Sequence, residues 1–362
     1  MKRGKLEAAM YYTGIDYHKR YSVACTLDAQ GRKIREGRIE ANSPAAFAAY
    51  FKTLEQPSKV TMEACWNWGV LHDLLETLDN VDEVVLSDPV KNRIIAESMH
   101  KNDRYDARCL ATLLRGDFIS RVHVPSRQTR SQKDILRQRL WLVRMRTRVR
   151  NRIHAIIDRH PGLERPACKD VFCNKGLAWL KRAALPESER ALLDEDLELH
   201  SLLQSQIKAG EARVAEGVGG GAIARRLQTL PGIGVTLAAL IALEIDKPER
   251  FPDADKLCAY AGLVPTTRAS GGKVRHGGLM PHCNKWLRWA FVEGAWVAVG
   301  CSDYFGGFYR RQRARGKQAN NAIVITARRM AKIAWQMLAE QRDYSAEKPA
   351  VSARENQFPR SL

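Results

Sequence analysis

The fold of the first domain is decided by residues 11–39, which read YYTGIDYHKRYSVACTLDAQGRKIREGRI. Within residues 21–27 the odd-numbered positions carry the larger apolar side chains, the period-two pattern of a strand with one buried face. Residues 28–31, which read DAQG, then have the composition of a turn, and residues 33–39 follow as a partner strand. With residues 11–15 before them, these segments predict a meander of three antiparallel strands.

Helical and strand patterns alternate downstream of the meander. In chain order they are a helix over residues 44–54, a short strand at 60–62, an amphipathic helix at 68–78, a buried strand at 83–86, and a helix beginning near Asp103. Three antiparallel strands followed by alternating helices and strands are typical of a ribonuclease H-like α/β domain. We place this domain at residues 1–124.

The middle of the chain is predicted to be helical and coiled-coil-like, over residues 125–221. Its first helix is dense in arginine and poor in acids, which favours a face that binds nucleic acid or pairs with a protein, with Arg144 and Arg148 as nucleic-acid contacts. The alternative is an ordinary solvated helix face. A second, more acidic helix over residues 188–215 leads into the glycine run at 217–221, which we interpret as a linker.

The composition restricts the class of protein. The chain of 362 residues carries a formal net charge of +19 and has a pI of about 9.8, which favours a polyanionic partner. Its eight cysteines include no C-x-x-C pair. We therefore expect reduced thiols in a cytoplasmic protein without structural zinc. No apolar run approaches the roughly 20 residues that span a bilayer, so no membrane partner is expected.

Four acidic residues of the first domain are candidate catalytic metal ligands: Asp16, Glu63, Asp103 and Asp106. Asp16 and Glu63 stand at the ends of predicted strands, while Asp103 and Asp106 share one face of a helix at its first turn. Each has an ordinary alternative as a turn residue, a solvated strand end or a helix cap. Together they favour Mg²⁺, because two ions about 3.5–4 Å apart need several carboxylates, and such a cluster is otherwise repulsive.

A third, mostly α-helical domain is predicted at residues 222–341, before a tail at 342–362 that we expect to be disordered. The sequence LPGIG at residues 230–234 is similar to a helix-hairpin-helix motif, in which Gly232 and Gly234 let a phosphate approach the backbone; the alternative is a plain αα turn.

A second motif of this domain surrounds Ser270, which two glycines follow. Cationic side chains flank it, an environment suited to phosphoryl transfer by a serine nucleophile, although a flexible loop is the alternative. We expect these cations to contact nucleic acid: Arg268, Lys273, Arg275 and His276.

The chain resembles the insertion-sequence 110 family of transposases over about residues 11–340. The resemblance depends on six motifs in order: GIDYHK at 14–19, MEA at 62–64, KNDRYDA at 101–107, PGIG at 231–234, AYAGLVP at 259–265 and SGGK at 270–273. One departure is Cys283, which precedes Asn284 where family members commonly have glycine.

The resemblance implies a RuvC-like DEDD domain that binds Mg²⁺ through Asp16, Glu63, Asp103 and Asp106, and a C-terminal transposase domain whose Ser270 attacks DNA. It implies a recombinase that cuts and rejoins double-stranded DNA, at the element ends and the target, through a phosphoserine intermediate. It also implies guidance by a bridge RNA. Because exchange of two duplexes needs several active sites, we expect a homodimer that assembles into a tetramer.

Two other functions remain open from the sequence. A RuvC-like nuclease that resolves junctions by hydrolysis would leave Ser270 as a loop residue. A non-catalytic nucleic-acid-binding protein would use the four acids only as caps and solvated groups. Covalent attachment to DNA distinguishes the three functions, because only the serine recombinase forms it.

Overall fold

The computed structural model describes residues 10–95, 102–270 and 273–346, and these fall into two units, residues 1–124 and 125–362. The first unit contains a mixed five-stranded sheet. Its strands are β1 (Tyr11–Tyr17), β2 (Ser22–Leu27), β3 (Lys33–Ile39), β4 (Ser58–Glu63) and β5 (Val81–Ser87). They lie in the order β3-β2-β1-β4-β5, in which β1, β2 and β3 are antiparallel and β4 and β5 run parallel to β1. The predicted α/β class of this unit is confirmed.

Four helices of the first unit are described: α1 (Pro44–Lys52), α2 (Trp68–Leu75), α3 (Pro89–Ile95) and α4 (Asp103–Arg115). The sequence did not predict α3, because seven residues are too few to show a helical period. Asp88 begins α3 by accepting backbone hydrogen bonds from Val90 and Lys91.

Gly14 determines how closely α4 packs on β1. A Cβ atom at this position would lie 2.1 Å from the carbonyl oxygen of Ala107 and 2.4 Å from the amide nitrogen of Ala111, both in the backbone of α4. Only glycine permits this approach. The helix therefore lies directly on the strand, which places its first turn beside the carboxyl end of β1.

The second unit is mostly helical, as predicted. Its helices are α5 (Arg127–Asp158), α6 (Asn174–Leu180), α7 (Glu187–Val214), α8 (Ala222–Gln228), α9 (Val235–Ile245), α10 (Ala254–Tyr260), α11 (Lys285–Cys301), α12 (Asp303–Ala314) and α13 (Ala319–Ala339). An antiparallel hairpin of β6 (Pro265–Ser270) and β7 (Lys273–Leu279) lies between α10 and α11.

The long helices α5 and α7 pack together through buried side chains such as Ile153 and Leu193. At the other end of α5, Leu136 joins the core that α9, α11 and α13 form. Where we expected a glycine linker, Ala215–Gly219 instead forms a π-helical turn that continues α7.

The start of the tail differs from the expected disorder. The backbone N–H of Arg342 donates to the carbonyl of Met337, and the ring of Tyr344 stacks on Phe305 with centroids 6.3 Å apart. An aromatic contact with the core holds residues 342–346, and the rest of the predicted tail lies outside the described residues. In the part of the chain that is described, no helix combines the length and the apolar character that crossing a membrane requires.

Candidate active site

The carboxyl ends of the parallel strands place two of the predicted acids at one edge of the sheet. Asp16 is the next-to-last residue of β1 and Glu63 is the last residue of β4. The register pairs Ile15 with Met62, so one further step along both strands sets Asp16 beside Glu63. Parallel strand ends are where α/β sheets commonly carry their functional groups.

The first turn of α4 supplies the third acid, Asp103. Asn102, rather than Asp103, is the N-cap of this helix, since its Oδ1 accepts a 2.8 Å hydrogen bond from the backbone N–H of Tyr105. The carboxylate of Asp103 instead accepts a 2.9 Å hydrogen bond from the hydroxyl of Tyr21. The capping interpretation of Asp103 is therefore wrong, which removes its main structural alternative.

His18 belongs to the same cluster, although the sequence did not single it out as a site residue. Its Nε2 lies 3.0 Å from Oδ2 of Asp16 and 3.3 Å from Oδ2 of Asp103. One ligand atom from each of these three residues lies within 4.8 Å of the others. The available signal was the spacing, because Asp16 and His18 are two residues apart at a strand end and so share one side of it.

Hydrogen bonds hold the turn that carries His18. The backbone N–H of His18 donates to the carbonyl of Tyr21 over 3.1 Å, and the amide of Asn42 donates to the carbonyl of His18 over 2.7 Å. The hydroxyl of Ser22 donates to Asn42 over 2.7 Å. The guanidinium carbon of Arg38 lies 3.8 Å from the centre of the Tyr21 ring. The turn is thus fixed from both sides.

The charge of the cluster favours a bound cation. Burial raises the pKa of Asp16 above its ordinary value; His18 opposes this rise, and the charges of Asp103 and Asp106 add to it. The hydrogen bond to Asp103 is the first cause that raises the pKa of Tyr21, so this hydroxyl remains a donor. Negative groups therefore repel one another at Asp16, and a cation at this point would relieve the repulsion.

The other two predicted acids lie at the margin of this cluster. Asp106 stands one turn along α4 from Asp103, and its charge is felt at Asp16. Glu63 is exposed at the end of β4. Neither is part of the three-residue group whose ligand atoms lie within 4.8 Å. The structure therefore brings together Asp16 and Asp103 with His18, and leaves Glu63 and Asp106 as outer carboxylates.

The donor set suits a divalent cation. Carboxylate oxygens are the ligands that Mg²⁺ and Mn²⁺ prefer, and an imidazole nitrogen is a suitable further ligand for Mn²⁺. The contacts of Tyr21 and Asn42 fix the ligands from behind, as outer-shell partners do in metal sites. The residues present therefore fit a divalent metal.

Ser270 lies in the second unit, exposed at the end of β6, where it pairs with Lys273 at the tip of the hairpin. Arg275 is also exposed, and its backbone pairs with that of Arg268. The side chains of Arg268 and His276 lie outside the described part of the chain, as do residues 271–272. The hairpin thus presents the serine hydroxyl and at least two cations to solvent.

The two glycines of the predicted helix-hairpin-helix motif have different surroundings. Gly232 has φ +82°, and a Cβ there would lie 2.2 Å from the carbonyl of Gly294 in α11, so packing requires glycine at this position. Gly234 is the N-cap of α9, and a Cβ there would meet nothing within 4 Å. Of the two, Gly234 is therefore the one whose backbone is open to a phosphate.

The predicted arginine contacts lie on α5. Arg144 and Arg148 are both exposed, and the guanidinium carbon of Arg144 lies 5.0 Å from the centre of the Trp286 ring.

Asn284 has a structural role that sequence reasoning missed. Its Oδ1 caps α11, and its amide donates to buried Glu244 over 2.9 Å.

Two family profiles match the chain. One, described as "Transposase", of the DEDD type of insertion sequence IS110, matches residues 13–160, which contain the whole acidic cluster. The other, described as "Transposase IS116/IS110/IS902 family", matches residues 224–310, which contain the hairpin of β6 and β7 that carries Ser270. The chain belongs to the IS110/IS116/IS902 family of transposases. A DEDD-type transposase domain suggests the use of a divalent metal, and the acidic cluster lies within the residues that this profile matches.

Individual relatives agree with this assignment. The chain is 27% identical to the transposase for insertion sequence element IS1328 of Yersinia enterocolitica, over 77% of this chain and 83% of that protein. It is 23% identical to the transposase for insertion sequence element IS1111A of Coxiella burnetii, over 91% and 90%. It is also 28% identical to the insertion element IS110 uncharacterized 43.6 kDa protein of Streptomyces coelicolor, over 56% of this chain but only 62% of that protein.

Proposed function

We propose that this transposase is a DNA recombinase that cuts and rejoins strands through a phosphoserine intermediate. In this proposal Ser270 is the nucleophile, and Asp16, Glu63, Asp103 and Asp106 hold Mg²⁺. The strand order β3-β2-β1-β4-β5 supports a ribonuclease H-like, RuvC-like identity for the first unit. The observation that carries the metal site concerns Asp103. Asn102 caps the helix, so the carboxylate of Asp103 is not used as a cap, and Tyr21 holds it beside Asp16.

The chain's own residues have separate parts in this chemistry. A divalent cation, when bound, supplies positive charge that polarises the scissile phosphate and stabilises its transition state. Asp16 and Asp103 would provide the central ligand oxygens, Glu63 and Asp106 would provide the outer ones, and Tyr21 keeps Asp103 in place. On the hairpin, the exposed ammonium of Lys273 and guanidinium of Arg275 attract a phosphate towards Ser270.

The proposed strand cleavage is balanced in atoms and charge. A bond forms between Oγ of Ser270 and phosphorus while the bond from phosphorus to the oxygen of the leaving strand breaks. The serine loses its proton, and the leaving oxygen gains one. The phosphodiester energy is conserved in the enzyme–DNA bond, so a second strand can reverse the step without ATP.

The partners in this proposal are double-stranded DNA, at the element ends and the target, and a bridge RNA, with the protein acting as a homodimer that assembles to a tetramer. The net charge of +19 supports a nucleic-acid partner. The RNA and the assembly are supported by family resemblance. Protein co-expressed with the transcript flanking its element should retain a discrete RNA, and full recombination after complete ribonuclease digestion would contradict the guide.

The experiment that tests the chemistry is a denaturing gel of end-labelled element DNA incubated with the protein and Mg²⁺. The wild type should leave a DNA–protein adduct that resists denaturant. The variants Ser270→Ala, Asp16→Asn and Asp103→Asn should leave none, nor should the wild type with a chelator. Ser201→Ala, which removes an exposed hydroxyl on α7, should form the adduct at the wild-type rate.

Two outcomes would favour the alternatives. Cleavage by Ser270→Ala with water as the nucleophile would indicate a hydrolytic, junction-resolving nuclease. Tight binding without cleavage by any protein in the set would indicate a non-catalytic nucleic-acid-binding protein. Adduct formation by the carboxylate variants at the wild-type rate would contradict the proposed metal site.

A further inference from the structure

The loop that follows Glu63 carries a tryptophan with little cover. The side chain of Trp66 is 79% exposed, the largest value among the exposed large hydrophobic residues described. Exposure of an indole is unfavourable, since it leaves a large apolar surface in water. Trp68, two residues later, packs against the core of the sheet. The hydrophobic core of the sheet is thus close enough to be contacted by Trp68, yet the side chain of Trp66 stays in solvent.

This loop begins at the sheet edge that carries the candidate active site, because it follows Glu63 at the end of β4. The amide of Asn67 donates a 3.1 Å hydrogen bond to the hydroxyl of Tyr17, the last residue of β1, whose side chain points to the opposite face of the sheet from that of Asp16. On the other side, the backbone N–H of Ala64 donates to the carbonyl of Ser87 at the end of β5. Trp66 is thus presented from a loop fixed at both ends, three residues after Glu63.

The surroundings of this edge fit nucleic acid. Lys19 and Arg20 are both exposed in the turn between β1 and β2, which follows Asp16. They place positive charge at the same end of β1 to which Asn67 is bonded. A phosphate held at the carboxylate cluster would bring the bases of its strand to this edge of the sheet. An exposed aromatic ring and cationic side chains at one edge are features with which proteins hold single-stranded nucleic acid.

We propose that Trp66 stacks on an unpaired nucleobase next to the phosphate that the carboxylate cluster acts on. This inference rests on the proposed function, since it takes that phosphate as the anchor. A paired base inside a duplex presents no free face, so the ligand is a base that has left its stack. Trp66 is then a positioning residue: it holds the strand beside the cluster and takes no part in bond making.

The first test measures binding in Mg²⁺ with Ser270→Ala as the parent protein, which keeps the carboxylate cluster but should not cleave. Fluorescein-labelled 12-nucleotide oligo(dT) and oligo(U) are titrated with Ser270→Ala and with Ser270→Ala carrying Trp66→Ala, with anisotropy as the readout. Loss of one stacked base should weaken binding by about tenfold, and Trp66→Phe should recover most of it. Val70→Ala is the matched control, because Val70 is 69% exposed on the following helix but cannot stack. The loss should appear with oligo(dT), because the phosphate at the cluster belongs to DNA. A loss confined to oligo(U) would assign the ring to the RNA and overturn the inference.

The second test maps the contact. Oligonucleotides containing 5-iodouracil are irradiated with the protein, and the cross-linked peptide is identified by mass spectrometry. The adduct should fall on Trp66 in the wild type, and it should persist in Ser270→Ala because it does not depend on catalysis. If Trp66→Ala binds both oligonucleotides as the wild type does and cross-links form elsewhere, the inference is wrong while the proposed chemistry stands. Dissociation of an oligomer by Trp66→Ala, with nucleic-acid binding unchanged, would assign the ring to a protein interface and also overturn it.

Discussion

The hydroxyl of Tyr21 donates a 2.9 Å hydrogen bond to Oδ2 of Asp103, and so joins the turn after β1 to the first turn of α4. The two residues are far apart in sequence, and their contact brings a carboxylate of the helix to the end of the strand. The ring of Tyr21 also lies 4.7 Å from that of His18, between centroids. One side chain therefore orients two of the three members of the candidate metal cluster.

Removal of the Tyr21 hydroxyl should weaken metal binding more than it weakens the fold. Tyr21→Phe keeps the ring contacts with His18 and Arg38 but leaves Asp103 without its donor, and loss of such an outer-shell partner costs about tenfold in metal affinity. Calorimetric titration with Mn²⁺ measures the change, and thermal unfolding should be little affected. Tyr105→Phe is the control, since Tyr105 is exposed on α4 between the two aspartates. Equal Mn²⁺ affinity in the wild type and Tyr21→Phe would contradict the positioning role.

Substitution of Gly14 should separate α4 from the sheet. In Gly14→Ala the new methyl group would lie 2.1 Å from the carbonyl oxygen of Ala107, so the helix must move, at a cost of roughly 1–3 kcal/mol or more. Gly37→Ala is a matched control on β3 of the same sheet, where a Cβ meets nothing within 4 Å. Urea unfolding should show a loss of stability in Gly14→Ala alone, and Mn²⁺ affinity should fall with it. A wild-type unfolding midpoint for Gly14→Ala would show that the packing is looser than described.

The sequence predicts the sheet well because its pattern is local. The alternation of residues 21–27 and the turn at Gly31 specify the strands directly, and the structure has β2 and β3 where they were expected. Asp16 and Glu63 could be placed at strand ends for the same reason. The partners of these acids could not be predicted, because they depend on a turn geometry that brings His18 and Tyr21 back towards the helix.

The second unit shows the limit of reading a motif from sequence. Gly232 matches a phosphate-binding pattern, yet its neighbour in space is Gly294 of α11, which no local signal reveals. Asn284 likewise has its partner, Glu244, on a different helix. Long-range packing decides both roles.

Arg148 should contribute to the salt-dependent binding of nucleic acid, whereas Arg150 should contribute chiefly to the stability of the fold. Arg148 is exposed, whereas the Nε of Arg150 donates to His200 over 3.2 Å and its guanidinium carbon lies 4.4 Å from the centre of the Phe172 ring. Arg148→Gln should lower the slope of log affinity against log salt by about one, without loss of stability. Arg150→Gln should chiefly lower the melting temperature. Duplex binding at four salt concentrations measures the slope. An unchanged slope in Arg148→Gln would indicate a solvated helix face.

Glu244 of α9 makes a buried ion pair with Lys133 of α5. Their nearest nitrogen and oxygen atoms lie 3.1 Å apart, and the two side chains are only 3% and 10% exposed. Arg137 and Asn284 also donate to Glu244, each over 2.9 Å. Burial opposes the charged form of Glu244, but Lys133, Asn284 and Arg137 outweigh it, so the pKa of Glu244 lies below its ordinary value of 4.5.

Substitution of Glu244 or Lys133 alone should lower the free energy of unfolding. Substitution of both should lower it by less than the sum of the two single losses. Glu244→Gln leaves the buried ammonium of Lys133 without its partner, which lowers the free energy of unfolding by about 3–5 kcal/mol; Lys133→Met should cost less, because Arg137 and Asn284 still bind Glu244. The double variant should recover part of that loss, and chemical denaturation of all four proteins measures the coupling. Because the pKa of Glu244 is lowered on folding, its contribution is present above pH 4.5 and is lost as the pH falls below that value. The wild type should therefore lose stability in acid more steeply than Glu244→Gln. Parallel acid profiles, together with additive single losses, would mean that the pair contributes no specific stability.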